Sequence, residues 1–142
     1  MFTLFSHIGI VVRDLDAALA RWTGDFGLTV VERMEVEVEG IRNAFLSTGG
    51  AYGEATLIEL IAPLDPENPD LSKAIPRRLA EHGEGVFHIA MRARDEAKTQ
   101  DLLEAAGIRA FSVPPAGPQQ EPRMIIHPAS ANGVLLELLF DA

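Results

Sequence analysis

Ser6 to Asp14 reads SHIGIVVRD, and Phe87 to Asp95 reads FHIAMRARD. In each stretch a His is followed by Ile and a small residue, and an Arg-Asp pair begins six positions after the His (Arg13-Asp14 and Arg94-Asp95). A repeat with fixed spacing constrains the architecture before any local reading. Both copies open on apolar, β-branched runs, residues 5–12 and 86–93, of the kind expected in buried strands. Asp14 and Asp95 then have the chemistry of helix N-caps. After Asp14, the residues Leu15, Ala18, Leu19, Trp22 and Phe26 fall on one helical stripe, and Gly27 closes that helix as Gly107 closes its counterpart.

Working outward, three strand-like segments follow each helix: 28–38, 41–47 and 55–62 in the first copy, and 108–113, 123–127 and 134–140 in the second. Between the copies lies PLDPENP (63–69), whose prolines lack the amide donors a sheet needs, and then a short helix over 71–82 interrupted near Pro76. The order is βαβββ, connection, βαβββ. This predicts an α+β domain spanning 1–142, with modules at 1–62 and 85–142 joined by 63–84. The modules are expected to form a curved, mostly antiparallel sheet with helices outside.

Composition narrows the function classes. The chain has 142 residues, 47% of them apolar, enough for a sizeable core. It has no apolar run long enough to span a bilayer and no export signal at its start, so a cytoplasmic protein without a membrane partner is expected. A net charge of −9 argues against nucleic acid as a partner, and an anionic substrate would need its own local basic pocket. With no cysteine, any metal must be held by imidazole and oxygen.

Two apolar strands each contain one carboxylate: Glu59 in ATLIELIA and Glu137 in VLLELLF. An ionised carboxylate in such a setting costs several kcal/mol to bury without a partner. Glu59 lies 52 positions after His7 and Glu137 lies 49 after His88, so the pairs are equivalent in the repeat. A pseudo-twofold relation would bring His7, Glu59, His88 and Glu137 together as ligands of one divalent ion: Zn, Ni, Co, Mn or Fe. Arg123 is a candidate contact for an anionic substrate. His82 and His127 read as surface or turn residues.

With its paired βαβββ plan and these four residues, the chain resembles the vicinal oxygen chelate superfamily, which includes glyoxalases, bleomycin resistance proteins and extradiol dioxygenases. Within it the chain is most similar to the methylmalonyl-CoA epimerases, through HIGIVVRDLDAALARW, IELIAPLDPENP, GEGVFHIAMRARD and above all HPASANGVLLEL. The resemblance implies a metal-dependent epimerase or isomerase that removes a proton α to a carbonyl through a metal-stabilised enolate. It further implies an acyl-CoA thioester substrate, Glu137 as both ligand and proton-transfer group, and a homodimer. Some members carry a second carboxylate where this chain has Asn43, which can hydrogen-bond an enolate oxygen but cannot replace a base. The chain also has Ala129 where Lys is frequent, and Gln119-Gln120-Glu121 in place of a basic turn, which removes cations a CoA phosphate could use. The alternatives are a glyoxalase I-type isomerase acting on a glutathione hemithioacetal and a non-catalytic small-molecule-binding protein of the same fold.

Overall fold

A computed structural model of the chain describes residues 1–49 and 55–141. The first copy forms β1 (Phe2–Val11), α1 (Leu15–Leu19), β2 (Thr29–Val36), β3 (Ile41–Ser47) and β4 (Leu57–Pro63). After α2 (Ala74–His82), the second copy forms β5 (Gly85–Ala93), α3 (Glu96–Ala105), β6 (Ala110–Val113), β7 (Arg123–Ile126) and β8 (Leu135–Phe140). This is the α+β, twice-βαβββ order read from the repeat. Both caps form: Asp14 Oδ1 accepts the amides of Asp16 and Ala17 at 3.0 and 3.3 Å, and Asp95 Oδ1 accepts that of Lys98 at 2.9 Å.

Three local expectations are corrected. The helix after Asp14 does not stay regular to Phe26. It widens into a π-type segment over Ala20–Asp25, which takes later residues off the stripe, so Leu15 and Leu19 are buried while Phe26 is exposed. The second strand stops at Val36 because Glu37–Glu39 tighten into a 3-10 turn that ends on Gly40 at φ +65°. A Cβ at Gly40 would also lie 2.9 Å from Lys73 Cγ, so the turn requires glycine twice over. Pro76 does not interrupt the helix that contains it. It sits in the first turn of α2, where its missing amide has no intrahelical partner to lose.

The chain divides into two compact units, Ile8–Val86 and Met1–His7 with Phe87–Ala142. In the first unit the strand order is β2-β3-β4-β1, and β2, β3 and β4 are antiparallel neighbours. Ala44 pairs with Leu60 and Arg42 with Ala62, so Ala44, Leu46, Leu60 and Ala62 share one face, and they pack there on Leu15 and Leu19 of α1. Because side chains alternate across a strand, Asn43, Phe45, Glu59 and Ile61 occupy the opposite face.

In the second unit the order is β1-β5-β8-β7-β6, with β5 and β8 parallel and β6, β7 and β8 antiparallel. Met91, Leu138, Met124 and Ile126 form the face covered by Leu103 of α3. Leu138 is fully buried at the centre of that layer. Leu138→Ala is expected to lower unfolding free energy by about 2–5 kcal/mol, measured by urea denaturation, because it leaves a cavity that the two neighbouring strands cannot close. A loss below about 1 kcal/mol would mean the layer repacks. Among the described residues no helix is long and apolar enough to cross a membrane.

Candidate metal centre

Register places the chemistry of the second unit on the sheet face turned away from α3. Ala90 pairs with Glu137, so Glu137 shares a face with Ala90 and with His88 two residues earlier on the same strand. On the other side of β8, Ile125 pairs with Glu137, which brings Arg123 onto the same face. His7 arrives from β1. Its Nε2 lies 3.0 Å from His88 Nε2, 3.7 Å from one oxygen of Glu137, and the second oxygen is 3.9 Å from His88 Nε2.

Both imidazoles are buried, at 3% and 4% exposure, and Glu137 is less than one-fifth exposed. Their ligand atoms all fall within 4.8 Å of one another. Metal–ligand bonds of about 2.0–2.2 Å put neighbouring donors roughly 3–4 Å apart around one ion, and the three separations match that spacing. Two imidazole nitrogens facing each other beside a carboxylate can share a single divalent cation, which accepts lone pairs from all three. Nitrogen and oxygen donors of this kind suit a borderline divalent ion.

A residue outside the expected set supports the first ligand. Ser6 Oγ is 3.1 Å from His7 Nδ1. The tautomer that donates Nδ1–H to this hydroxyl leaves Nε2 with the lone pair a metal needs. The only sequence sign of this role was the residue preceding the repeated His, which is Ser in one copy and Phe in the other. Phe87 instead lies edge-on to the His88 ring, with centroids 5.4 Å apart.

The first unit holds the other two candidates. Glu59 is buried at 6% exposure, and Asn43 at 4% donates through Nδ2 to Glu59 Oε2 at 2.6 Å. Asn43 Oδ1 is buried with no hydrogen-bond partner among the described residues. Glu59 and Asn43 are on the face opposite α1, as Glu137 and Arg123 are on the face opposite α3. His127, by contrast, is exposed and its Nδ1 accepts the amide of Ala129 at 3.0 Å, and His82 is exposed at the end of α2. Both are the turn and surface residues expected from the sequence.

An α+β chain with a two-imidazole, one-carboxylate divalent-metal centre on the sheet face turned away from α3 defines a class of metalloprotein. The chain belongs to the glyoxalase/bleomycin resistance protein/dioxygenase superfamily, whose profile matches residues 6–125. It is 29% identical to the ethylmalonyl-CoA/methylmalonyl-CoA epimerase of Cereibacter sphaeroides over 97% of this chain and 98% of that protein. The crystal structure of methylmalonyl-CoA epimerase from Mycobacterium tuberculosis superposes with a TM-score of 0.83 at 32% identity, covering 99% of this chain and 89% of that one. A methylmalonyl-CoA epimerase in complex with methylmalonyl-CoA and ammonium superposes with a TM-score of 0.84 at 30% identity, over 100% and 96% of the two chains.

Proposed function

We propose that this chain is a metal-dependent epimerase or isomerase of the methylmalonyl-CoA epimerase type, acting on an acyl-CoA thioester with an acidic proton between two carbonyl groups. The observation that carries the reading is the convergence of His7, His88 and Glu137, which joins a metal site to a carboxylate able to move a proton. The similarity to epimerases along nearly the full chain supports the same reaction class. A divalent ion held by these residues supplies Lewis-acid charge that lowers the cost of negative charge on the substrate carbonyl oxygen. Glu137, partly open to solvent, takes the α-proton and returns it.

Glu59 is the proposed fourth ligand, on the strength of its equivalence to Glu137 in the repeat of modules 1–62 and 85–142. Asn43 is proposed to orient Glu59 through the 2.6 Å bond and to offer its remaining amide hydrogen to the enolate oxygen. Because an amide cannot accept the proton, inversion then requires a second acid that is not a side chain at position 43. A homodimer working in the cytoplasm completes the proposal.

The test is exchange. Metal-loaded protein in deuterium oxide is expected to place deuterium at the α-carbon of methylmalonyl-CoA, followed by mass spectrometry. Absence of label with protein that demonstrably holds its ion would remove this substrate. Separating the two stereoisomers then shows whether exchange proceeds with inversion.

A further inference from the structure

We infer that Arg123 is a specificity-determining residue that binds a carboxylate oxygen of the substrate beside the metal centre. The inference rests on the reading above and adds which chain residue recognises the negatively charged end of the ligand. A chain with a net charge of −9 repels anions at long range, so an anionic substrate is drawn in by positive charge at the site itself, to which a guanidinium beside the metal ligands adds. Arg123 carries that guanidinium. It opens β7 opposite Leu139, on the same sheet face as His88 and Glu137, and its Nε lies 3.6 Å from Glu137 Oε2.

The guanidinium is also held in place. Its NH1 donates to Gln120 Oε1 at 3.1 Å, and the same oxygen accepts the amide of Ala116 at 2.9 Å. The backbone N–H of Gln120 in turn donates to Gly117 O at 3.1 Å, so the support is a loop folded back on itself. Nearby, Arg92 on β5 binds Glu121 at 2.9 and 3.2 Å, which fastens the same loop to the sheet next to Gln120. The Arg123 side chain is 14% exposed, and at that depth the charge is little screened by water. A fixed planar fork is suited to grip a carboxylate through two donors, which a flexible ammonium does less well.

The repeat sharpens the assignment. Arg123 is diagonal to Glu137 across the β7–β8 ladder, and Asn43 is diagonal to Glu59 across the β3–β4 ladder in the same way. One register position thus carries a cation in one unit and a neutral amide in the other.

The experiment uses metal-loaded full-length protein and two small probes, malonate and uncharged malonamide, in calorimetric titrations of wild type, Arg123→Gln and Arg123→Lys, with metal content determined for each. Malonate affinity is expected to fall about thirtyfold in Arg123→Gln and less in Arg123→Lys, with malonamide binding alike in all three. Unchanged malonate affinity in Arg123→Gln would overturn the inference, as would a wild type that does not bind malonate. Loss of the metal from Arg123→Gln would overturn it too, because Arg123 would then serve Glu137 alone. Should Arg123→Gln fail to fold, the Arg123→Lys titration decides between the same outcomes. A wild type that binds malonate through Arg123 yet exchanges no deuterium would sink the epimerase reading while leaving this one standing.

Discussion

Replacing His88 by Ala is expected to lower divalent-metal affinity by more than about a hundredfold and to abolish deuterium exchange. The reasoning starts from position. His88 Nε2 faces His7 Nε2 at 3.0 Å and lies 3.9 Å from a Glu137 oxygen, so its removal takes one of the three clustered ligands and leaves only His7 and Glu137 of that cluster. Loss of an outer-shell partner alone typically costs 10–100-fold in metal affinity, so loss of a direct ligand should exceed that range. Ser6→Ala, which removes the hydroxyl 3.1 Å from His7 Nδ1, supplies the comparison within this chain and should fall inside it. Elemental analysis after reconstitution and dialysis measures both. The fold should survive, because the α3-facing core layer contains neither His. A wild type that takes up no divalent ion, or a His88→Ala variant that retains it at wild-type affinity, would end the metal-dependent account. Glu59→Ala in the same series tests the proposed fourth ligand directly.

Glu137→Gln carries the second large effect. The substitution preserves shape while removing both the negative charge and the ability to accept a proton. Exchange into methylmalonyl-CoA is expected to slow by about 10²–10⁴-fold, the usual contribution of a positioned general base. Glu137 is also a ligand, so the variant must be assayed over a range of metal concentrations. Weak binding alone would be repaired by saturating metal, whereas loss of the base would not. Full recovery of exchange at saturating metal would therefore reassign Glu137 to ligation only.

Both variants probe a site whose parts were unequally visible in one dimension. The repeated His-Ile and Arg-Asp spacing was enough to place β1 and β5, the caps at Asp14 and Asp95, and the two imidazoles, because strand alternation and capping are local properties of a few consecutive residues. Glu137 was legible for an energetic reason, as a carboxylate between Leu136 and Leu138 that needs a partner. Elements whose geometry depends on what lies against them were less legible. The π-type widening after Leu19 has no periodic signature, and the 3-10 turn at Glu37–Glu39 is tied to a Gly40 against which Lys73 packs. Pro76 read as a break because its position within the helix depends on where α2 begins.

The sequence by itself determined the element order, the doubled βαβββ plan and the residue types able to hold a divalent ion, since these follow from spacing, periodicity and the cost of a buried charge. Only the tertiary structure decided which side chains meet. The parallel β5–β8 register puts Glu137 on the face of His88, and the antiparallel β7–β8 register adds Arg123 to it. A shift of one residue in either pairing would send those side chains to the α3-covered face instead. Strand register is set by long-range pairing and packing, so the Arg123–Glu137 contact could not be read from the residues that make it, whereas the Ser6 support of His7 joins consecutive residues.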